Sequence, residues 1–155
     1  MMDKEERCCG LSGTGTALVT PFDEDGKVDA DALQRIVECN MAGGVDFLCV
    51  LGTTAETPTL TDDEQRVVRD TVVRTVGGRR PLLLGFGGND TLGMRRRMTA
   101  DAFEGIDALL IVTPYYNKPS QEGLYLHYRT LAEASPLPIV LYNVPSRTGV
   151  NLLPE

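Results

Sequence analysis

Five short, unbroken apolar runs recur along the chain at nearly constant spacing. They are 16–20 (TALVT), 47–51 (FLCVL), 81–84 (PLLL), 108–112 (ALLIV) and 138–142 (PIVLY). Their first residues lie 31, 34, 27 and 30 positions apart, the length of a strand, a helix and two connections, about 30 residues. Continuous rather than alternating hydrophobicity is the mark of strands buried on both faces of a parallel sheet. The segments between them have helical periodicity. In 28–41 the residues Leu33, Ile36, Val37 and Met41 form one stripe, with Asp29 near the start and Gly43 and Gly44 as the stop. Thr61 and Glu64 have capping-box spacing ahead of Val67, Val68, Val72 and Val76, and Gly77 and Gly78 follow. A third helix is expected from a cap at 89–91 to about Phe103. A fourth opens at Pro119 and Ser120, turns Leu124, Tyr128 and Leu131 inward, and breaks at Ser135 and Pro136.

Five strands and four helices in strict alternation fit an open doubly wound sheet or part of a (β/α)8 barrel. The open sheet would be complete in 155 residues, whereas a barrel typically needs about 250. The end of the chain, 151–155 (NLLPE), reads as a helix start that is cut off. The division expected is a tail over 1–12 and one strand–helix domain over 13–155.

A net charge of −7 argues against a general electrostatic grip on nucleic acid or an anionic membrane. No apolar run reaches the roughly 20 residues that span a bilayer, and the charged start (MMDKEER) has no apolar segment of signal type behind it. A cytoplasmic protein is expected. The four cysteines (Cys8, Cys9, Cys39, Cys49) form no C-x-x-C pair, and His127 is the single histidine. A zinc site from this set is not expected.

In either architecture ligands sit at the carboxyl ends of the strands, so the chemistry belongs in the loops after the apolar runs. The loop after the first run has no G-x-G-x-x-G, and its acidic residues Asp23, Glu24 and Asp25 read as a solvated turn. The loop 52–56 (GTTAE) presents the hydroxyls of Thr53 and Thr54. It is either a seat for a small carboxylate or a Thr-rich turn. The glycines of 85–89 (GFGGN) lack the Lys-Ser/Thr ending of a phosphate loop and read as close packing. In 113–119 (TPYYNKP) one of Tyr115 and Tyr116 presents a phenol, or the pair is a hydrophobic plug or subunit contact. After the fifth run, 142–149 (YNVPSRTG) carries Arg147, whose guanidinium can hold a carboxylate through two parallel hydrogen bonds. Arg95, Arg96 and Arg97 spread too far around a helix to form one stripe, and His127 reads as a packing or surface residue. Hydroxyls, phenols and one guanidinium suit a small carboxylate substrate and proton shuttling. A free phenol titrates near about 10, so such a shuttle needs a positioned chain.

Three of these segments, 52–56, 114–123 (PYYNKPSQEG) and 142–149, resemble the dihydrodipicolinate synthase family, whose members are also called 4-hydroxy-tetrahydrodipicolinate synthases. The resemblance runs from about Gly13 to Glu155. It implies a (β/α)8 barrel of the pyruvate-dependent class I aldolase type, usually a homotetramer built as a dimer of dimers. It also implies a lyase with no cofactor or metal, acting in lysine and diaminopimelate biosynthesis. Such an enzyme condenses pyruvate with L-aspartate 4-semialdehyde through a lysine Schiff base and an enamine.

By the same resemblance Thr53 and Thr54 sit beside the pyruvate carboxylate. Thr53, Tyr142 and Tyr116 correspond to a proton-relay triad, with Tyr116 donated across the tight dimer, and Arg147 holds the semialdehyde carboxylate. Ala55 departs from the commoner glycine at its position. The family's Schiff-base lysine lies on a sixth strand, which this chain does not reach. Its own lysines are Lys4, Lys27 and Lys118, none in a strand, where burial lowers an amine's pKa. The chain therefore reads as the N-terminal five-eighths of such an enzyme, inactive alone. Of the positions where some members bind inhibitory lysine, Asn89 and Tyr115 match, while Thr57, Pro58, Asp62, Gln65 and Gly93 replace the usual histidines and glutamate. Feedback by lysine is expected to be weak. Two alternatives are N-acetylneuraminate lyase, which shares the barrel and chemistry, and a non-catalytic half-barrel that binds a carboxylate or regulates a partner.

Overall fold

The computed structural model describes residues 10–154. Residues 1–9 and 155, with Lys4, Cys8 and Cys9 among them, lie outside the described residues. The chain forms two compact units: one ends at Gly85 and takes in Gly105–Asp107, and the other comprises Phe86–Glu104 and runs on from Ala108.

In the first unit Gly15–Ala17 (β1), Phe47–Val50 (β2) and Leu82–Gly85 (β3) run parallel in chain order. Thr16 lies beside Leu48, and Leu48 beside Leu82. Helices Ala30–Ala42 (α1) and Asp62–Val76 (α2) pack together. Leu33, Val37, Val68, Val72 and Val76 are buried with Leu48, Val50, Leu82 and Leu84. Each such side chain contributes about 1.5–3 kcal/mol, so the apolar runs and helix stripes account for the core. The expected caps are present. Asp29 Oδ1 accepts from Ala32 N at 2.8 Å. At α2, Glu64 N donates to Thr61 Oγ1 at 3.3 Å while Thr61 N donates to Glu64 Oε2 at 2.8 Å. The Thr61 backbone donor, with its hydroxyl in addition, holds the Glu64 carboxyl below the usual range. Gly77 closes α2 at φ 55°, a conformation that favours glycine.

In the second unit Ala108–Val112 (β4) and Ile139–Tyr142 (β5) are parallel, in register from Leu109 beside Ile139 to Val112 beside Tyr142. Its helices are Thr91–Ala100 (α3), Gln121–Ala134 (α4) and the single-turn Pro145–Thr148 (α5). Ser120 caps α4 by accepting from Gly123 N. Leu124, Tyr128 and Leu131 are buried as the pattern requires. The Tyr128 hydroxyl donates to Ile111 O at 3.1 Å, and burial pushes its pKa up to about 12.

Three expectations are corrected. β1 covers 15–17 rather than 16–20: its pairing with β2 ends at Ala17 beside Cys49, and Thr20 lies beyond it with its hydroxyl on Ala55 O. α3 stops at Ala100 rather than near Phe103. Asp101 adopts an extended conformation there, and Phe103 packs edge-on against Phe86. On α2, Val67 is exposed while Val68, Val72 and Val76 are buried. The segment after β5 contains α5, for which the signals are Pro145 at a helix start and Gly149 in the left-handed conformation at its end.

Candidate functional site at the strand ends

The segment after β2 carries Thr53 and Thr54. Leu51 (φ 55°) and Glu56 (φ 54°) take the left-handed conformation on either side of a 3-10 turn, Thr53–Ala55. A second turn, Thr57–Thr59, follows. Four side chains fasten this double turn, Thr59 Oγ1 among them by donating to Glu56 O at 2.9 Å. Thr20 Oγ1 donates to Ala55 O at 2.8 Å in a buried hydrogen bond. Thr57 Oγ1 donates to Gly52 O at 3.1 Å, and Gln65 Nε2 reaches Thr57 O and Leu60 O. Ala55 is buried and its φ is not positive, so the departure from glycine brings no backbone strain here. Thr53 and Thr54 are exposed, and neither hydroxyl has a partner among the described residues. Gly85 sits against the start of this segment. A Cβ there would lie 1.9 Å from Leu51 O, which explains close packing at that glycine.

The segment after β4 carries Tyr116. Asn89 Nδ2 and Asn117 N both donate to Tyr115 O, at 3.2 and 2.9 Å. Tyr116 has φ 71° and is 87% exposed, and Lys118 has φ 48°. Of the two phenols Tyr116 is the one presented outward, while Tyr115 is 40% exposed. Thr113 is buried, and its hydroxyl has no partner among the described residues. After β5, Tyr142 is half-buried and its carbonyl accepts from Thr113 N at 3.1 Å. Arg147 is on α5, exposed, and its guanidinium has no partner among the described residues. The second unit thus brings Tyr116, Tyr142 and Arg147 onto the ends of two paired strands. No hydrogen bond joins the Tyr116 and Tyr142 hydroxyls among the described residues. Thr53 and Thr54 belong to the first unit.

The other sequence candidates have structural roles. Asp23 Oδ1 accepts from Asp25 N and Lys27 N, closing a local turn. No group of three or more metal-ligating side chains occurs among the described residues. His127 is 3% exposed and its Nδ1 lies 2.8 Å from Thr91 Oγ1. Burial pushes its pKa down. Arg97 lies over the Phe86 ring and donates to Gly87 O at 3.0 Å, so it ties α3 to the glycine loop. Cys49 is buried in β2, which raises its thiol to about 11, and Cys39 is exposed on α1. Sequence reasoning missed Thr20, Gln65, Asn143 and Gln121. Thr20 and Gln121 act across 30 or more positions, and Gln65 and Asn143 reach across loops of five to nine residues, none of which leaves a periodic signal.

Parallel strand–helix units with hydroxyls, phenols and a guanidinium beyond the strand ends define an α/β protein of the barrel-enzyme class. A family model described as the dihydrodipicolinate synthetase family matches residues 10–155. A 4-hydroxy-tetrahydrodipicolinate synthase from Parabacteroides distasonis is 57% identical over 145 residues, 94% of this chain and 49% of that protein. The crystal structure of a dihydrodipicolinate synthase from Thermotoga maritima superposes with TM-score 0.87 at 45% identity. The match covers 92% of this chain and 48% of that one. A chloride-inhibited dihydrodipicolinate synthase from Acinetobacter baumannii, solved in complex with pyruvate, gives 0.87 at 44% identity over 92% and 49%. The chain belongs to the dihydrodipicolinate synthetase family, and its α/β fold matches about half of a family barrel. It spans about half the length of the curated relatives it matches. Among the described residues no helix is long and apolar enough to cross a membrane.

Proposed function

We propose that this chain carries the substrate-holding and proton-relay groups of a 4-hydroxy-tetrahydrodipicolinate synthase. The reaction is condensation of pyruvate with L-aspartate 4-semialdehyde in a cytoplasmic homotetramer, a dimer of dimers. Residues 13–155 contribute one continuous part of its barrel, with 1–12 as a tail. The pyruvate carboxylate accepts hydrogen bonds at the Thr53–Thr54 turn. Thr53, Tyr142 and a Tyr116 from a second copy pass the protons released as the Schiff base forms and the enamine develops. The Arg147 guanidinium holds the semialdehyde carboxylate.

The observation that carries this reading is the distribution of backbone strain. The four non-glycine residues with positive φ among those described are Leu51, Glu56, Tyr116 and Lys118. All four lie in the segments bearing Thr53, Thr54 and Tyr116. Such conformations cost about 1–3 kcal/mol each and persist where surrounding structure imposes them, often at binding sites.

The Schiff-base amine is not Lys27 or Lys118. Lys27 lies in the acidic turn and Lys118 in the loop after β4, and neither is in a strand. The test pairs this chain with the C-terminal half of the Parabacteroides distasonis relative. Pyruvate and borohydride trapping should then give an adduct, and the pair should condense the two substrates. Thr53→Val and Tyr142→Phe should lower kcat, whereas Arg147→Ala should raise the semialdehyde KM and spare pyruvate. Lysine should inhibit weakly, since Gln65 is committed to the backbone of the turn. A stoichiometric adduct on Lys27 or Lys118, or an Arg147→Ala pair with unchanged semialdehyde KM, would refute the assignment.

A further inference from the structure

Arg147 sits in a loop whose two ends are joined by one side chain. Asn143 follows β5 directly, and its carboxamide uses both donors and its oxygen. Nδ2 donates to Asn151 Oδ1 at 2.8 Å and to Leu152 O at 3.1 Å. Oδ1 accepts from Leu152 N at 3.1 Å. Toward Leu152 it therefore behaves as one more rung of a strand ladder, closing the loop on the far side of Arg147.

A second carboxamide holds the same returning segment from the outside. Gln121, the first residue of α4, donates from Nε2 to Asn151 O at 2.8 Å and accepts from Leu153 N at 3.1 Å. Inside the loop, the Thr148 hydroxyl lies 3.1 Å from Val144 O and 3.0 Å from Val150 O. Gly149 has φ 72°, and a Cβ there would lie 3.2 Å from Lys118 Cε. The backbone carrying Arg147 is thus tied at both ends, while its guanidinium has no partner among the described residues.

We propose that Asn143 and Gln121 are positioning residues that fix the Arg147 loop so that its guanidinium meets a carboxylate in one orientation. The proposal rests on the assignment of Arg147 to carboxylate binding and names the side chains that orient it. The physical reason is entropy. A seven-residue excursion from Val144 to Val150, free at one end, would have to be ordered by each ligand, and preorganisation removes that cost.

The experiment uses the 155-residue chain and two readouts. Hydrogen exchange followed by mass spectrometry reports the amides of 150–153. Modification of Arg147 by phenylglyoxal, with succinate as protecting carboxylate, reports the guanidinium. Asn143→Ala and Gln121→Ala should each speed exchange in 150–153 about tenfold, with the melting midpoint and exchange elsewhere unchanged. In both variants protection of Arg147 should need several-fold more succinate. Asn143→Asp keeps the acceptor for Leu152 N but turns a second oxygen toward Leu152 O and Asn151 Oδ1, so it should leave exchange in 150–153 fast. If Asn143→Ala leaves both exchange and succinate protection as in the parent, the proposal is overturned. If succinate fails to protect Arg147 even in the parent, the carboxylate assignment fails. Exchange in 150–153 then still decides whether these two residues hold the loop.

Discussion

Replacing Thr20 by valine isolates the contact that fastens the Thr53–Thr54 turn. Valine matches threonine in shape, so packing is preserved, but the hydroxyl that donates to Ala55 O at 2.8 Å is removed. Thr20 is 6% and Ala55 1% exposed, so water does not readily replace the lost donor. A buried acceptor left without a partner costs about 1–3 kcal/mol. Thr20→Ser keeps the hydroxyl and loses one methyl, at about 0.8 kcal/mol. For urea unfolding with a slope of about 1–3 kcal/mol per molar, a loss of about 2 kcal/mol lowers the valine midpoint by about 1 M. The serine variant should fall between it and the parent. Hydrogen exchange at Ala55 and Glu56 should accelerate in the valine variant. A valine midpoint equal to the parent's, or a serine variant less stable than the valine one, would refute the reasoning.

His127 binds a proton less readily folded than unfolded, because burial lowers its pKa from about 6.5. Its contribution to stability is therefore complete above about pH 6.5 and is lost as pH falls through the folded value. His127→Gln should flatten that part of the melting-temperature profile, and equal slopes in both proteins would exclude the effect. Gly85→Ala places a methyl group against the Leu51 backbone. It should cost about 1–3 kcal/mol or more, seen as a lowered thermal midpoint, and an unchanged midpoint would mean that this contact yields freely. Cys49, with its thiol raised to about 11 and buried, should resist alkylation at pH 8 while the exposed Cys39 reacts. Peptide mapping by mass spectrometry separates the two.

Periodicity determined the alternation of strand and helix, the inward stripes of Leu33 and Val37 and of Leu124 and Leu131, and the caps at Asp29, Thr61 and Ser120. Each of these is a local matter, settled by side-chain spacing or by hydrogen bonds within one turn. The loop residues Thr53, Thr54, Tyr116, Tyr142 and Arg147 were visible as chemistry, because hydroxyls, phenols and a guanidinium beyond buried strands have few other uses. Tertiary structure alone decided how those residues are held. Thr20 reaches across 35 positions to Ala55, and Gln121 across 32 to Leu153. Asn143 closes its loop on Leu152, nine residues on. Such bonds join groups that meet only after the strands have paired. The early end of β1 and the positive φ of Leu51 and Tyr116 are likewise visible only in the folded chain: Leu51 is buried where Gly85 packs against its carbonyl, and no pattern of neighbours along the chain encodes that.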